Sequence, residues 1–287
     1  GNQAFYTLLG LLKRFNQDEI LIIDINEDFI ESLQKRIKLE GVPHEFNYST
    51  HDNLPQINNL LFFIDSSNVY GRDACLNLID KLKPQNIIFE KPIAHSNASL
   101  AMYKKFLGLN NFFINIPRRF WSSYKYIKEN TKADSISKIE LSSSMLGLME
   151  NYCHYFDLVA LLTNQNITNV NLIKQSDYVS KRGFKEFYGE IGIELANETI
   201  ANIICHEDTQ KEVILKIFSG EDCSKPKIIF NESTGKLDAE NHPKISFNQS
   251  ENYTSNIFDS VIRNSHMLPR LADVYAYSDK FIKEACK

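Results

Sequence analysis

Residues 86–92 read Asn-Ile-Ile-Phe-Glu-Lys-Pro, and the reading of this stretch decides the fold. Ile87, Ile88 and Phe89 form a short continuous apolar run, which suits a strand buried on both faces of a parallel sheet. Glu90 and Lys91 close the run, and Pro92 confines Lys91 to extended backbone. Ligands of such sheets bind outside the carboxyl ends of the strands, so Lys91 is expected to face a crevice. The plainer alternative is a solvated loop lysine.

Working outward, the first half alternates strand and helix. Residues 5–15 carry apolar side chains at helical spacing. Residues 19–24, Glu-Ile-Leu-Ile-Ile-Asp, form a second buried-strand pattern ending in an acid. A helix over 27–40 follows, with Phe29, Ile30, Leu33 and Ile37 on one face and Gly41 as its stop. A weaker strand is expected near Phe46, a buried one over 60–64, and a helix over 72–82. This alternation predicts βαβ units and a parallel sheet.

After about residue 115 the rhythm changes. A helix over 122–129, a strand over 136–143 and a helix over 152–162 precede strands near 170–176, 186–195, 199–206, 212–218 and 227–231. Period-two alternation and turns at Asn197-Glu198 and Ser233-Thr-Gly235 predict an antiparallel sheet. Helices near 252–264 and 269–285 close the chain. The expected division is therefore a Rossmann-like domain over 1–115 and an α+β domain over 116–287. There is no internal repeat.

Gly1-Asn2-Gln3-Ala4 before a helix matches the second half of a G-x-G-x-x-G/A phosphate turn. Glycine admits the pyrophosphate to the backbone, and the helix start supplies N–H donors and a positive dipole. Asp24 ends the next strand, where an acid binds the ribose 2′-hydroxyl and disfavours a 2′-phosphate. NAD is expected over NADP. On its own, Gly-x-x-Ala is common, and Asp24 could instead cap the helix that follows. In the first reading the strand before Gly1, central to such a sheet, is missing from the chain.

Glu150 and His154 stand four residues apart and share a face if both are helical. A carboxylate beside an imidazole fixes its tautomer and raises its basicity, as a general base near neutral pH requires. The alternative is a core histidine with a local hydrogen bond. Asp157 follows one turn later.

These residues together resemble the glucose–fructose oxidoreductase/inositol dehydrogenase (Gfo/Idh/MocA) family: Glu90-Lys91-Pro92 after a parallel strand, Pro117-Arg-Arg119, and Glu150-x-x-x-His154-x-x-Asp157. The resemblance covers most of the chain and is strongest through residue 162. It implies a Rossmann domain followed by an α/β domain whose open sheet forms a homodimer or homotetramer interface. Lys91 would match the family's catalytic lysine and His154 its proton-transferring histidine, with Glu150 where an Asp is frequent. Ser66, Asn68 and Glu90 would lie by the cofactor. Ser66 and Ser67 replace a usual Thr-Pro, and Gly71 stands where a histidine is common. Arg119 and Tyr124 are candidate substrate contacts, although Arg119 could equally pin the domain junction. The implied activity is NAD(H)-dependent oxidation of a secondary alcohol on a sugar, cyclitol or sugar nucleotide, with no metal required. The competing reading is a non-catalytic relative that binds a nucleotide or partner.

Composition sets the outer bounds. The 287 residues are 43% hydrophobic and 24% charged with net charge −4, which provides no basic footprint for nucleic acid. Five scattered cysteines form no metal or disulfide pattern and suit a reducing compartment. With no apolar run long enough for a membrane span and no signal peptide, a cytoplasmic location is expected.

Overall fold

The computed structural model describes the chain apart from residues 1, 13–14, 16–18, 25–26, 42–45, 51, 68–70, 145, 180–184, 208–210, 221–222, 241–243, 249–253 and 264–266. Its first part is α/β. Helix α1 (Asn2–Leu12) precedes β1 (Leu21–Asp24), α2 (Glu27–Leu39) and β2 (Asn47–Thr50). β1 and β2 pair in parallel, with Asp24 opposite Thr50. Phe5 and Leu8 of α1 close a small core with Ile20, Ile37 and Phe46.

A second parallel sheet holds β3 (Phe62–Asp65), β4 (Asn86–Glu90) and β5 (Phe112–Asn115), with α3 (Arg72–Leu82) as the crossover from β3 to β4. The parallel strands of this half form two separate sheets, β1–β2 and β3–β4–β5. The apolar run at 87–89 is explained by cover on both faces. Ile87 and Phe89, with Phe112 and Ile114 of β5, join the main core, whereas Ile88 and Phe113 face Ile257, Phe258 and Val261. Those three belong to α7 (Thr254–Ile262), so the chain's end returns to its first half.

The second part centres on an eight-stranded sheet. Its members are β6 (Ile136–Ser143), β7 (Ile167–Val179), β8 (Lys185–Leu195), β9 (Ile200–Cys205), β10 (Ile214–Ser219), β11 (Ile228–Asn231), β12 (Lys236–Ala239) and β13 (Ile245–Ser246). Their order is β13–β12–β11–β10–β6–β9–β8–β7. Only the β6–β9 pair is parallel. The predicted hairpin turn at Asn197-Glu198 joins β8 to β9, with Glu198 in the left-handed region at φ 67°. One face of this sheet is buried through Ile139, Leu141, Ile191, Ile193, Ile203, Leu215 and Ile217, in one core with α6 (Leu148–Thr163) and α8 (Leu271–Ala285). The short helix α4 (Asn97–Ala101) packs on α8, and α5 (Ser122–Asn130) on α6.

Several boundaries differ from the sequence reading. α6 starts at Leu148, four residues earlier than expected, so Glu150 is helical. β5, β12 and β13 were not anticipated, being two to four residues long and too short to show a period. β7 runs to 13 residues, well beyond the expected 170–176, and its many exposed positions hide the alternation that would mark its ends.

Candidate active site

β3, β4 and β5 end side by side, which brings Asp65, Glu90 and Asn115 to one edge. Asp65 and Arg72 form a buried ion pair at 3.1 Å, and the Arg72 guanidinium also donates to the carbonyl of Pro92. Arg72 thereby fixes the turn that follows β4, and Lys91 with it. Asn115 donates to the Glu90 carboxylate. Burial raises the Glu90 carboxyl to about 7, against the opposing pull of Asn115 and Lys91.

Lys91 crosses from β4 to the start of α6. Its Nζ donates to Asn151 Oδ1 at 2.6 Å and lies 3.4 Å from the Glu150 carbonyl. Burial lowers the lysine to about 8; Glu90 opposes this and Arg118 adds to it. An amine so placed exchanges its proton near neutral pH.

α6 begins in a tethered way. Gly147 precedes it with φ 57°, and a Cβ there would meet Asn151 Nδ2 at 3.2 Å and Glu186 Oε1 at 3.4 Å. The Glu186 carboxylate, projecting from β8, accepts the N–H groups of Met149 (2.7 Å) and Glu150 (2.8 Å). It thus satisfies two of the orphan donors of a helix start. Burial raises Glu186 to about 7.

His154 lies one turn further along and is buried. Burial, with Lys91 and Arg118 close by, pushes its imidazole well below the usual range, so the ring is neutral. The expected pairing with Glu150 does not form at the atoms that would make it: His154 Nδ1 and Glu150 Oε1 are both enclosed without a hydrogen-bond partner. The ring is oriented by packing, not by the carboxylate. With Nδ1 enclosed, Nε2 is the ring's remaining polar atom.

Two expected substrate contacts are committed elsewhere. Arg119 donates to both oxygens of Asp157, at 2.7 and 2.6 Å, and to the Met267 carbonyl at 3.3 Å. It pins the turn after β5 to α6. Tyr124 is fully buried, and its hydroxyl donates to Glu232. Glu232 also takes Arg118 in a two-point contact of 3.1 and 2.6 Å, with Arg118 lying against the rings of Trp121 and Tyr155.

The remaining expectations concern the cofactor. Asp24 ends β1, on the other parallel sheet, and Ser66 is partly buried just after β3. Asn2 and Gln3 open α1. Leu11, near the end of α1, packs against the same small core as Phe62 and Ile64 of β3. Gly1 and Asn68 fall outside the described residues. By donor chemistry these groups fit a dinucleotide: a carboxylate for ribose hydroxyls, a hydroxyl and a helix start for phosphates. The enclosed polar atoms Glu150 Oε1 and His154 Nδ1 belong to α6, whose first turns meet Lys91.

Asn151, Glu186 and Arg118 were missed from sequence. Asn151 stands inside the Glu150–His154 stretch and could have been read there; Glu186 carries no local signal, being one acid in a strand. A separate cleft of about 660 Å³ lies at the opposite, starting end of β3–β5, lined by Leu61, Asn86, Asn111, Phe113, Ile262 and Arg270, and contains none of these residues.

No protein-family profile matches the sequence, and no curated protein matches it. Solved structures do. The UDP-N-acetylglucosamine 3-dehydrogenase GnnA from Acidithiobacillus ferrooxidans superimposes with TM-score 0.70 at 11% identity, over 99% of this chain and 95% of its own. An oxidoreductase from Agrobacterium radiobacter, in complex with NAD+, L-tartaric acid and magnesium, gives 0.70 at 11% identity over 99% and 93%. GenD2 from gentamicin A biosynthesis, in complex with NAD, gives 0.69 at 11% identity over 99% and 91%. The solved structures that share this fold are oxidoreductases of the Gfo/Idh/MocA type.

Proposed function

We propose that the protein is an NAD(H)-dependent oxidoreductase acting on a secondary alcohol or ketone of a sugar, cyclitol or sugar nucleotide. The observation that carries this reading is the meeting of Lys91, at the carboxyl end of β4, with the first turns of α6, where Asn151 binds it and a neutral His154 follows. The solved structures of the same fold include dehydrogenases of sugar-like compounds and NAD complexes, which supports the same reading.

In the direction of oxidation, His154 Nε2 takes the hydroxyl proton of the substrate. Lys91 donates a hydrogen bond to the same oxygen and offsets the charge that develops on it. The neutral imidazole has a lone pair to accept the proton, burial makes it a weaker base than a free histidine, and a lysine near 8 can share the proton with it. Bound nicotinamide would supply the hydride acceptor, or the hydride donor in reverse. Asp24, Ser66 and the start of α1 would hold the dinucleotide, and Asp24 favours NAD over NADP. Glu150, with an unpartnered oxygen beside Lys91, is suited to a substrate hydroxyl.

The same reading assigns residues 1–115 to cofactor binding and 116–287 to the substrate and to assembly. The face of the large sheet opposite α6 exposes Ile173, Ile200 and Ile229, and suits pairing of copies of this chain. No helix among the described residues is long and apolar enough to cross a membrane, and a cytoplasmic location fits the scattered thiols.

Fluorescence titration of the full-length protein with NADH, and with NADPH for comparison, tests the reading. Saturable binding that prefers NADH is expected. A folded protein that binds neither cofactor would favour the non-catalytic alternative.

A further inference from the structure

Lys91 is held by an amide, although a carboxylate stands next to it in sequence. Asn151 Oδ1 accepts from Lys91 Nζ at 2.6 Å, while Asn151 Nδ2 donates to the Leu146 carbonyl at 2.7 Å. The second bond determines the first, since with Nδ2 committed to a carbonyl, only the oxygen can face the lysine. The neighbouring elements hold this geometry in place. Leu146 O also receives the Tyr155 hydroxyl at 3.1 Å, Glu186 clamps Met149 and Glu150 from β8, and Gly147 leaves the space that the Asn151 amide occupies. Glu150 hydrogen-bonds Lys91 through its backbone carbonyl, at 3.4 Å, and not through its carboxylate.

We propose that Asn151 is the positioning residue of Lys91: its amide, locked on Leu146, holds the amine at the end of β4 with an uncharged acceptor. This rests on the reading of Lys91 as the group that polarises the substrate oxygen, and it adds how that group is aimed and why its charge is not fixed. A carboxylate at the same distance would hold the lysine as a permanent ammonium ion. An amide accepts equally from the ammonium or the amine, so Lys91 stays free to give up its proton. The other groups that face Lys91 are Glu90 on its own strand, Glu150, Cys153 and His154 on α6, Arg118 in the turn after β5, Glu186 on β8 and His95 after Pro92. Arg118 opposes the charged form, and its pairing with Glu232 keeps it in place. Among the described residues, Asn151 is the side chain that hydrogen-bonds the amine, and it does so without carrying charge.

The test is competitive acylation of Lys91 in the folded, full-length protein across pH, followed by peptide mass spectrometry, in the native chain and in Asn151→Asp and Asn151→Ala. This readout needs neither cofactor nor substrate. Asn151→Asp is expected to raise the Lys91 midpoint by about one pH unit or more, cutting its acylation at neutral pH roughly tenfold. Asn151→Ala removes the acceptor and is expected to increase acylation at about pH 8 by up to roughly twofold, since half of a lysine near 8 is already amine there. Circular dichroism identifies a variant that fails to fold, and the other variant then decides. Acylation of Lys91 that is the same in the native chain and in the folded variants overturns the proposal. That result leaves the dehydrogenase reading standing, whereas failure of NADH binding would remove the reading without moving the acylation profile.

Discussion

Glu186 on β8 and Met149 on α6 are joined by a carboxylate–amide hydrogen bond of 2.7 Å, and through it the large sheet sets the position of the helix that carries the candidate site. The same carboxylate takes the Glu150 N–H, so one side chain from a distant strand caps the turn that presents Asn151 to Lys91.

Removal of that cap is expected to cost stability. Glu186→Ala leaves two N–H groups of a buried helix start unsatisfied and should destabilise the fold by about 1–2 kcal/mol. Glu186→Gln, which keeps one acceptor oxygen, should cost less. Urea denaturation of the two variants measures this, and equal losses would contradict the capping role.

The raised carboxyls give a pH dependence of definite sign. Glu90 and Glu186 titrate near 7 in the fold, against an ordinary 4.5. The native state therefore binds their protons more tightly than the unfolded chain does. Their contribution to stability is complete below 4.5 and is lost as pH rises through 7. His95, pushed down to about 4 by burial and by Arg72, acts oppositely between 4 and 6.5, so the difference between variants carries the test. Glu90→Gln should flatten the fall of Tm between about pH 5 and pH 8. A Tm profile parallel to that of the native chain contradicts the assignment.

Arg119 and Asp157 offer a third check. Their two-point contact is mostly buried, and removing the acid strands a guanidinium. Asp157→Ala should cost about 3 kcal/mol or more, read by urea denaturation. A change below about 0.5 kcal/mol, the range of surface substitutions, would show that Arg119 is free to serve a ligand instead.

Much of the fold was legible because buried parallel strands are written as apolar runs. Ile87-Ile-Phe89 and the acid–lysine pair behind them located β4 and Lys91 without any tertiary knowledge. The His154 position followed from helical spacing. What the sequence concealed was contact across elements. Arg119 and Tyr124 look like polar groups free to meet a ligand, yet their partners, Asp157 and Glu232, lie 38 and 108 residues away. Spacing also favoured a Glu150–His154 pair, because four residues apart on a helix permits a contact without requiring it. Asn151 was overlooked for a related reason. Its role depends on the Leu146 carbonyl, a backbone group that no sequence pattern reveals.

The most direct measurement follows nicotinamide absorbance while the full-length protein, NAD+ and a panel of sugars, cyclitols and sugar nucleotides are mixed, beside a folded Lys91→Ala control. The account predicts reduction of the cofactor with at least one polyol class, lowered roughly a hundredfold or more in Lys91→Ala while NADH binding persists. Turnover that is unchanged in Lys91→Ala would contradict it.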